Sequence, residues 1–175
     1  MTFEELKIKL NNDQLVESEW HQHSNGGGCV QNTATVEASA YVGPDALVYD
    51  TALVYGTAQV YDDAQVYDNA LVFGNAKVSG NARVSGNARV FGNAQVFGTA
   101  HVYGNLWETS PLYIQGTKSS ITNSKYGYIT IGCQTESFEW WQSPAALAFA
   151  KENKYSDEAI EEYKTLIEVV IKLGK

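Results

Sequence analysis

Apolar runs long enough to cross a bilayer, about 20 residues, are missing from this chain, so a soluble protein is expected. Basic runs are missing too. Against 20 acidic side chains stand 12 basic ones, a formal charge of -8, and such a surface offers no stripe of cations to neutralise the phosphates of DNA or RNA. Imitation of a nucleic acid by an acidic surface stays open. Cysteine is scarce: Cys29 and Cys133 lie far apart with no charged-then-apolar leader ahead of them, which reads as free thiols in the cytoplasm. The glycines at 26–28 lack the following Lys and Ser/Thr of a phosphate-cradling loop.

What is abundant is self-similarity. An alanine stands at 34, 40, 46, 52, 58, 64, 70, 76, 82, 88, 94 and 100, and two residues after each comes a valine, from Val36 to Val102. The unit reads A-x-V-z-G-N, with Asp or Thr sometimes in the last two places. Residues two apart face the same side of a strand, so the alanines and valines form the core. The Gly-Asn, Gly-Thr and Asp-Asn pairs tolerate the positive φ of a sharp corner. Each hexad is then a short strand plus a corner, and three hexads close a triangle. That predicts four coils: 34–51, 52–69, 70–87 and 88–105. A pentapeptide helix would need a period of five, which this sequence does not have.

The position after each valine points outward and carries Tyr49, Tyr55, Tyr61, Tyr67, Phe73, Phe91, Phe97 and Tyr103, broken by Ser79 and Ser85. Stacking at 18 residues sets Tyr55, Phe73 and Phe91 above one another without interruption. Tyr61, Ser79 and Phe97 share a second side, and Tyr49, Tyr67, Ser85 and Tyr103 the third. An uninterrupted apolar ladder prefers cover, as interfaces do, although cross-coil stacking alone also rewards it. A dimer or trimer through this side is expected. Asp45, Asp50, Asp62, Asp63 and Asp68 fall in the first two coils, whereas Lys77, Arg83 and Arg89 fall in the last two. The acidic group lacks the alternating ligands and glycine turn of a calcium loop. The basic group is a candidate contact for a small anion.

The open ends of a solenoid need caps. Thr2 and Glu5 have capping-box spacing ahead of Phe3, Leu6 and Leu10, and Asn11, Asn12 and Asp13 stop that helix. A flexible glycine stretch then leads into the first coil. After the repeats, residues 113–115, 120–122 and 126–133 read as strands, separated by Gly116 and by Asn123-Ser124-Lys125. Ser143-Pro144 opens a helix. Ser156 caps the last one, whose stripe is Ile160, Tyr163, Ile167, Val170 and Ile171, with Gly174 as its end. The chain divides accordingly into a cap and lead-in (1–33), a solenoid (34–105) and a region of strands and two helices (106–175).

The aliphatic residue followed four positions later by a small one, as in Val36 and Ala40, resembles the left-handed parallel β-helix of hexapeptide-repeat proteins. The hand of the coil is implied by that resemblance. More of the chain is similar to small hexapeptide-repeat proteins of bacteriophages and prophages. The stretches that carry this are Thr33-Ala34, Ser39-Ala40-Tyr41-Val42-Gly43-Pro44-Asp45-Ala46, Ile131-Gly132-Cys133-Gln134 and Glu139-Trp140-Trp141. Such relatives usually have a histidine near the place of Glu136, so a Cys-His pair with Cys133 would lack its histidine here. The resemblance implies a viral or mobile-element origin and a host-cell cytoplasmic location.

Enzymes with this repeat include acyl-CoA-dependent acyltransferases, which need a histidine base and an acceptor loop. His101 is the lone histidine of the repeats and has no insertion beside it. Carbonic-anhydrase relatives need three histidine ligands, which the solenoid does not supply. His21, His23 and Cys29 make an incomplete zinc set, and Cys133 with a distant histidine is a candidate nucleophile whose ordinary fate is burial. The expectation is therefore a non-catalytic module without cofactor or metal. It would bind a host or phage protein rather than nucleic acid or membrane, with inhibition of a host defence or nucleic-acid enzyme as one purpose. An acyltransferase or an oligomeric ligand trap is the alternative.

Overall fold

The computed structural model describes residues 1–173 and separates into two compact units, one of residues 1–99 and 103–110, the other of residues 100–102 and 111–173. Gly174, the expected helix end, lies outside the described residues.

The first unit is a parallel β-solenoid. Two-residue strands stack into three sheets, which we call sides. Side 1 holds Cys29–Gln31, Leu47–Val48, Gln65–Val66 and Arg83–Val84. Side 2 holds Thr35–Val36, Leu53–Val54, Leu71–Val72, Arg89–Val90 and Leu106–Trp107. Side 3 holds Tyr41–Val42, Gln59–Val60, Lys77–Val78 and Gln95–Val96. Every pairing within the repeats joins residues 18 apart, so one coil is three hexads. The ladder is continuous: Leu53 N–H donates to Ala70 O at 2.9 Å and Tyr55 N–H to Val72 O at 3.0 Å, and the same bonds recur one coil further on. From Ala40 to Val96 the alanines and valines of the pattern are all inaccessible to solvent or nearly so, a close-packed two-residue core repeated on three sides.

The corners explain the glycines and aspartates. Gly56, Gly74, Gly80, Gly86, Gly92 and Gly98 have φ between 61° and 71°, and Asp50, Asp62 and Asp68 take the same left-handed conformation at equivalent places. Aspartate tolerates that region better than most residues, and here its carboxylate also works. Asp50, Asp62 and Asp68 accept the corner N–H groups of Asp68, Gly80 and Gly86, one coil on, at 3.2, 3.0 and 2.9 Å. Three of the five acidic residues of the early coils are thus clamps between coils, while Asp63 pairs with Lys9 at 2.7 Å.

The amino-terminal end is capped as the spacing predicts. Helix α1 (Phe3–Leu10) carries a full capping box of Thr2 and Glu5 and ends at Asn11 in the left-handed region. Leu6 packs with Cys29 and Leu47 on side 1, joined by Phe3, Leu10 and Trp20. The glycines at 26–28, expected as a flexible lead-in, lie in the turn of a hairpin. Trp20–Gln22 pairs antiparallel with Cys29–Gln31, so the chain folds back on the first rung and covers its edge. A Cβ at Gly28 would sit 2.3 Å from Gly43 O and one at Gly26 2.2 Å from Val42 O; these glycines serve close packing. At the far end Leu106–Trp107 adds a rung to side 2, with Trp107 in the valine place and its indole N–H on Gly104 O at 2.6 Å.

In the second unit, four antiparallel strands run in the order Tyr113–Gln115, Ser120–Lys125, Tyr128–Ile131, Gln134–Ser137. Helices α2 (Phe138–Trp141), α3 (Pro144–Glu152) and α4 (Asp157–Leu173) follow. Ile121, Ile129, Ile131, Trp141, Ala146, Tyr163, Ile167 and Val170 form the core. Ser143 and Ser156 cap α3 and α4 as expected. Asn123-Ser124-Lys125, expected to be a turn, is strand interrupted by a bulge, because Asn123 and Ser124 are buried with their polarity met: Asn123 accepts Leu112 N–H, and Thr130 donates to Ser124 at 2.8 Å. The turn falls at Tyr126-Gly127 instead. Strand Gln134–Ser137 and helix α2 had no counterpart among the expected elements. No described helix is long and apolar enough to cross a membrane.

Candidate interaction surface

Side 2 presents two outward columns. In the z column, Tyr55 and Phe73 stack with ring centroids 4.9 Å apart and planes 6° from parallel, and Phe73 and Phe91 follow at 5.1 Å and 7°. In the x column stand Leu53, Leu71, Arg89 and Leu106, registered beside them by the same pairing. The backbone dictates both, since any residue 18 positions from an aromatic ring is held one strand spacing away, about 4.8 Å. Leu53, Tyr55 and Leu106 are 36%, 38% and 66% exposed. A largely apolar grid two side chains wide therefore faces outward, interrupted by Arg89 between Leu71 and Leu106, with the carboxylates Glu37 and Glu108 at its margins. Glu37 also accepts Gly56 N–H at 2.6 Å, so it holds the corner as well. Stacked pairs contribute about 0.5–1.5 kcal/mol each beyond their burial, which favours the ladder even without a partner.

The other predicted aromatics differ in surroundings. Tyr49 stacks on Tyr67 at 4.9 Å and 3°, and Trp20 covers Tyr49 at 6.2 Å. Burial pushes the Tyr49 phenol well above its ordinary range. That ladder ends on Ser85, which is buried, and Tyr103 is half-buried. On side 3, Tyr61 is half-buried and packs over Gly43, and Phe97 is 44% exposed, with Ser79 between them. Side 2 alone combines an unbroken ring ladder with a second column that is apolar except at Arg89. Leu53, Leu71 and Leu106 were absent from the sequence-derived surface; for Leu53 and Leu71 the signal was the position before each valine read at a spacing of 18, whereas Leu106 pairs with Arg89 at a spacing of 17, beyond the repeat.

The basic candidates do not converge. Arg83 lies on side 1, Arg89 on side 2 and Lys77 on side 3, because successive hexads occupy successive sides. Within one chain no single small anion can meet all three.

The histidines near the start are committed to the cap. His21 Nδ1 meets Asn32 Oδ1 at 2.8 Å, and buried His23 meets Ala40 O at 3.1 Å through Nε2. Cys29 is buried against α1, and that burial raises its thiol pKa. Among the described residues no three His, Cys, Asp or Glu side chains gather as a metal site. Cys133 is exposed, contrary to the burial expected, because the strand ends at Ile131 and Gly132-Cys133 forms the hairpin turn before Gln134. His101, half-buried, sits in a two-residue strand of the second unit.

A family profile described as the YdcK Beta solenoid repeat matches residues 64–80, 76–88 and 82–98. The chain is similar to that family over these repeats, in agreement with the coils observed there. No curated protein and no solved structure matches the chain.

Proposed function

We propose that this β-solenoid is a non-catalytic binding protein of phage or prophage type whose side 2 docks a macromolecular partner. The observation that carries the reading is the outward grid of Tyr55, Phe73 and Phe91 beside Leu53, Leu71 and Leu106, in which Tyr55, Leu53 and Leu106 are exposed and the others half-buried. Apolar patches with aromatic centres and charged margins are what protein interfaces bury. The partner is a host or phage protein, and inhibition of a host enzyme is the purpose we favour. Self-association as a dimer or trimer uses the same side. The phage-type assignment rests on the resemblance of residues 30–46 and 131–141.

Native mass spectrometry of the tagged protein from a bacterial lysate tests this. The wild type is expected as an oligomer or with one stoichiometric protein. The variant Tyr55→Ser/Phe73→Ser/Phe91→Ser is expected as a folded monomer without it. Undiminished association in that variant contradicts the reading. So does a wild type that carries CoA and transfers an acyl group in a manner lost with His101→Ala.

A further inference from the structure

The second unit contains a cavity of about 480 Å³ that opens to solvent between α2, α3 and α4. That is within the range of small-molecule sites, about 300–1,000 Å³. Trp141 and Phe149 wall one part, with ring centroids 6.3 Å apart and edge to face, and Tyr155 and Tyr163 wall another at 5.3 Å and 79°. Ile131, Ala146, Leu147, Ala150, Ile160 and Ile167 add aliphatic lining.

Among the lining side chains, Trp141, Ser143, Tyr155 and Tyr163 already use their polar atoms. Trp141 Nε1 donates to Ile129 O at 2.9 Å, Tyr163 OH donates to Ser119 O at 2.6 Å, Tyr155 OH meets Ser119 Oγ at 3.2 Å, and Ser143 Oγ donates to Trp140 O at 2.6 Å. A polar group set against these four side chains would lose water and gain no bond, a cost of about 1–3 kcal/mol or more. The remaining polar lining residues, Gln142, Lys164 and Glu168, are exposed and stand at the rim, where Lys164 is already paired with Glu161. The ring walls favour offset or edge-to-face contact with another ring over contact with a flexible chain.

We propose that this cavity is a binding site for a compact, uncharged, ring-containing apolar molecule. It is independent of side 2 and requires no chemistry from the protein.

Fluorescence titration of the full chain with neutral N-phenyl-1-naphthylamine tests it. One saturable site per chain is expected. Ala150→Phe, which fills the cavity from α3, should weaken binding by about tenfold with an unchanged circular dichroism spectrum, and Ala146→Leu should act in the same direction. The triple serine variant of side 2 should bind as the wild type does, so failure of the docking proposal leaves this one standing, and the reverse. The absence of saturable binding overturns the proposal, as do folded cavity-filled variants that bind unchanged, loss of binding in the triple serine variant, or displacement of the probe by decanoate but not by naphthalene. Should both filled variants unfold, nuclear Overhauser contacts from the probe to the Ile167 and Ala146 methyls in the wild type decide the matter. Their presence supports the site and their absence refutes it.

Discussion

In the solenoid a residue's surroundings follow from its position in an 18-residue cycle; in the second unit they follow from contacts between segments tens of residues apart. Val54 is buried for the same reason as Val72 and Val90, and one pairing rule covers all three. Tyr163 is buried by packing with Ile121, Trp141 and Ile167, and Ser119, 44 positions away, takes its hydroxyl. Periodic structure spreads stability evenly over nearest-neighbour coils, whereas the second unit concentrates it in a few large side chains. The two should therefore break differently.

Val72→Asp would place a charge in the dry centre of side 2, and we expect a loss of at least about 4 kcal/mol. Because each coil is paired on both sides, the damage should spread through the rod in urea titrations followed by circular dichroism. Trp141→Ala removes a core ring and its bond to Ile129 O; a loss of about 3–5 kcal/mol is expected. Hydrogen exchange should then accelerate at Ile129 and Ile131 but not at Leu53 or Leu71. Equal acceleration in both places would show that the units do not respond separately.

Corners give smaller effects. Gly74→Ala puts a Cβ at φ +70°, 3.2 Å from Gly92 N, and should cost about 1–3 kcal/mol. Asp62→Gly keeps the left-handed corner and loses only the bond to Gly80 N, at about 1 kcal/mol. A reversed order would refute the division of labour between conformation and clamp.

The smallest effect concerns pH. Glu5 accepts the Thr2 N–H at 2.7 Å, and this bond, with the Thr2 hydroxyl, holds its carboxyl below the ordinary value. A group whose pKa is lowered on folding contributes stability that is present above its unfolded value and lost as pH falls through the folded one. The α1 cap should therefore loosen in acid below the ordinary carboxylate range. Amide exchange of α1 in the wild type and Glu5→Gln checks this: the acid-dependent part should vanish in the variant.

The rod was legible because each hexad declares its own environment. Alanine and valine two apart give the core, and Gly, Asn or Asp gives the corner. The capping box of Thr2 and the caps at Ser143 and Ser156 were legible for the same local reason. Asn123 and Ser124 misled because buried polar residues in a bulged strand have the composition of a turn, and only their distant partners, Leu112 and Thr130, distinguish the two. On the candidate surface the rings of side 2 were legible from spacing. The cover over Tyr49 was not, since Trp20 reaches it through an antiparallel strand that no periodicity announces. Nor was the cavity, which arises from packing among α2, α3 and α4.

Photo-oxidative footprinting of the assembled protein, in its complex or as an oligomer, tests the central claim most directly, because Tyr55 on side 2 and Phe97 on side 3 are similarly exposed in the single chain, at 38% and 44%. Side 2 docking predicts that oxidation of Tyr55, Phe73 and Phe91 falls at least about threefold on assembly while Phe97 is unchanged, as an interface excludes water from its centre. Protection of Phe97 with Tyr55 still reactive would contradict it.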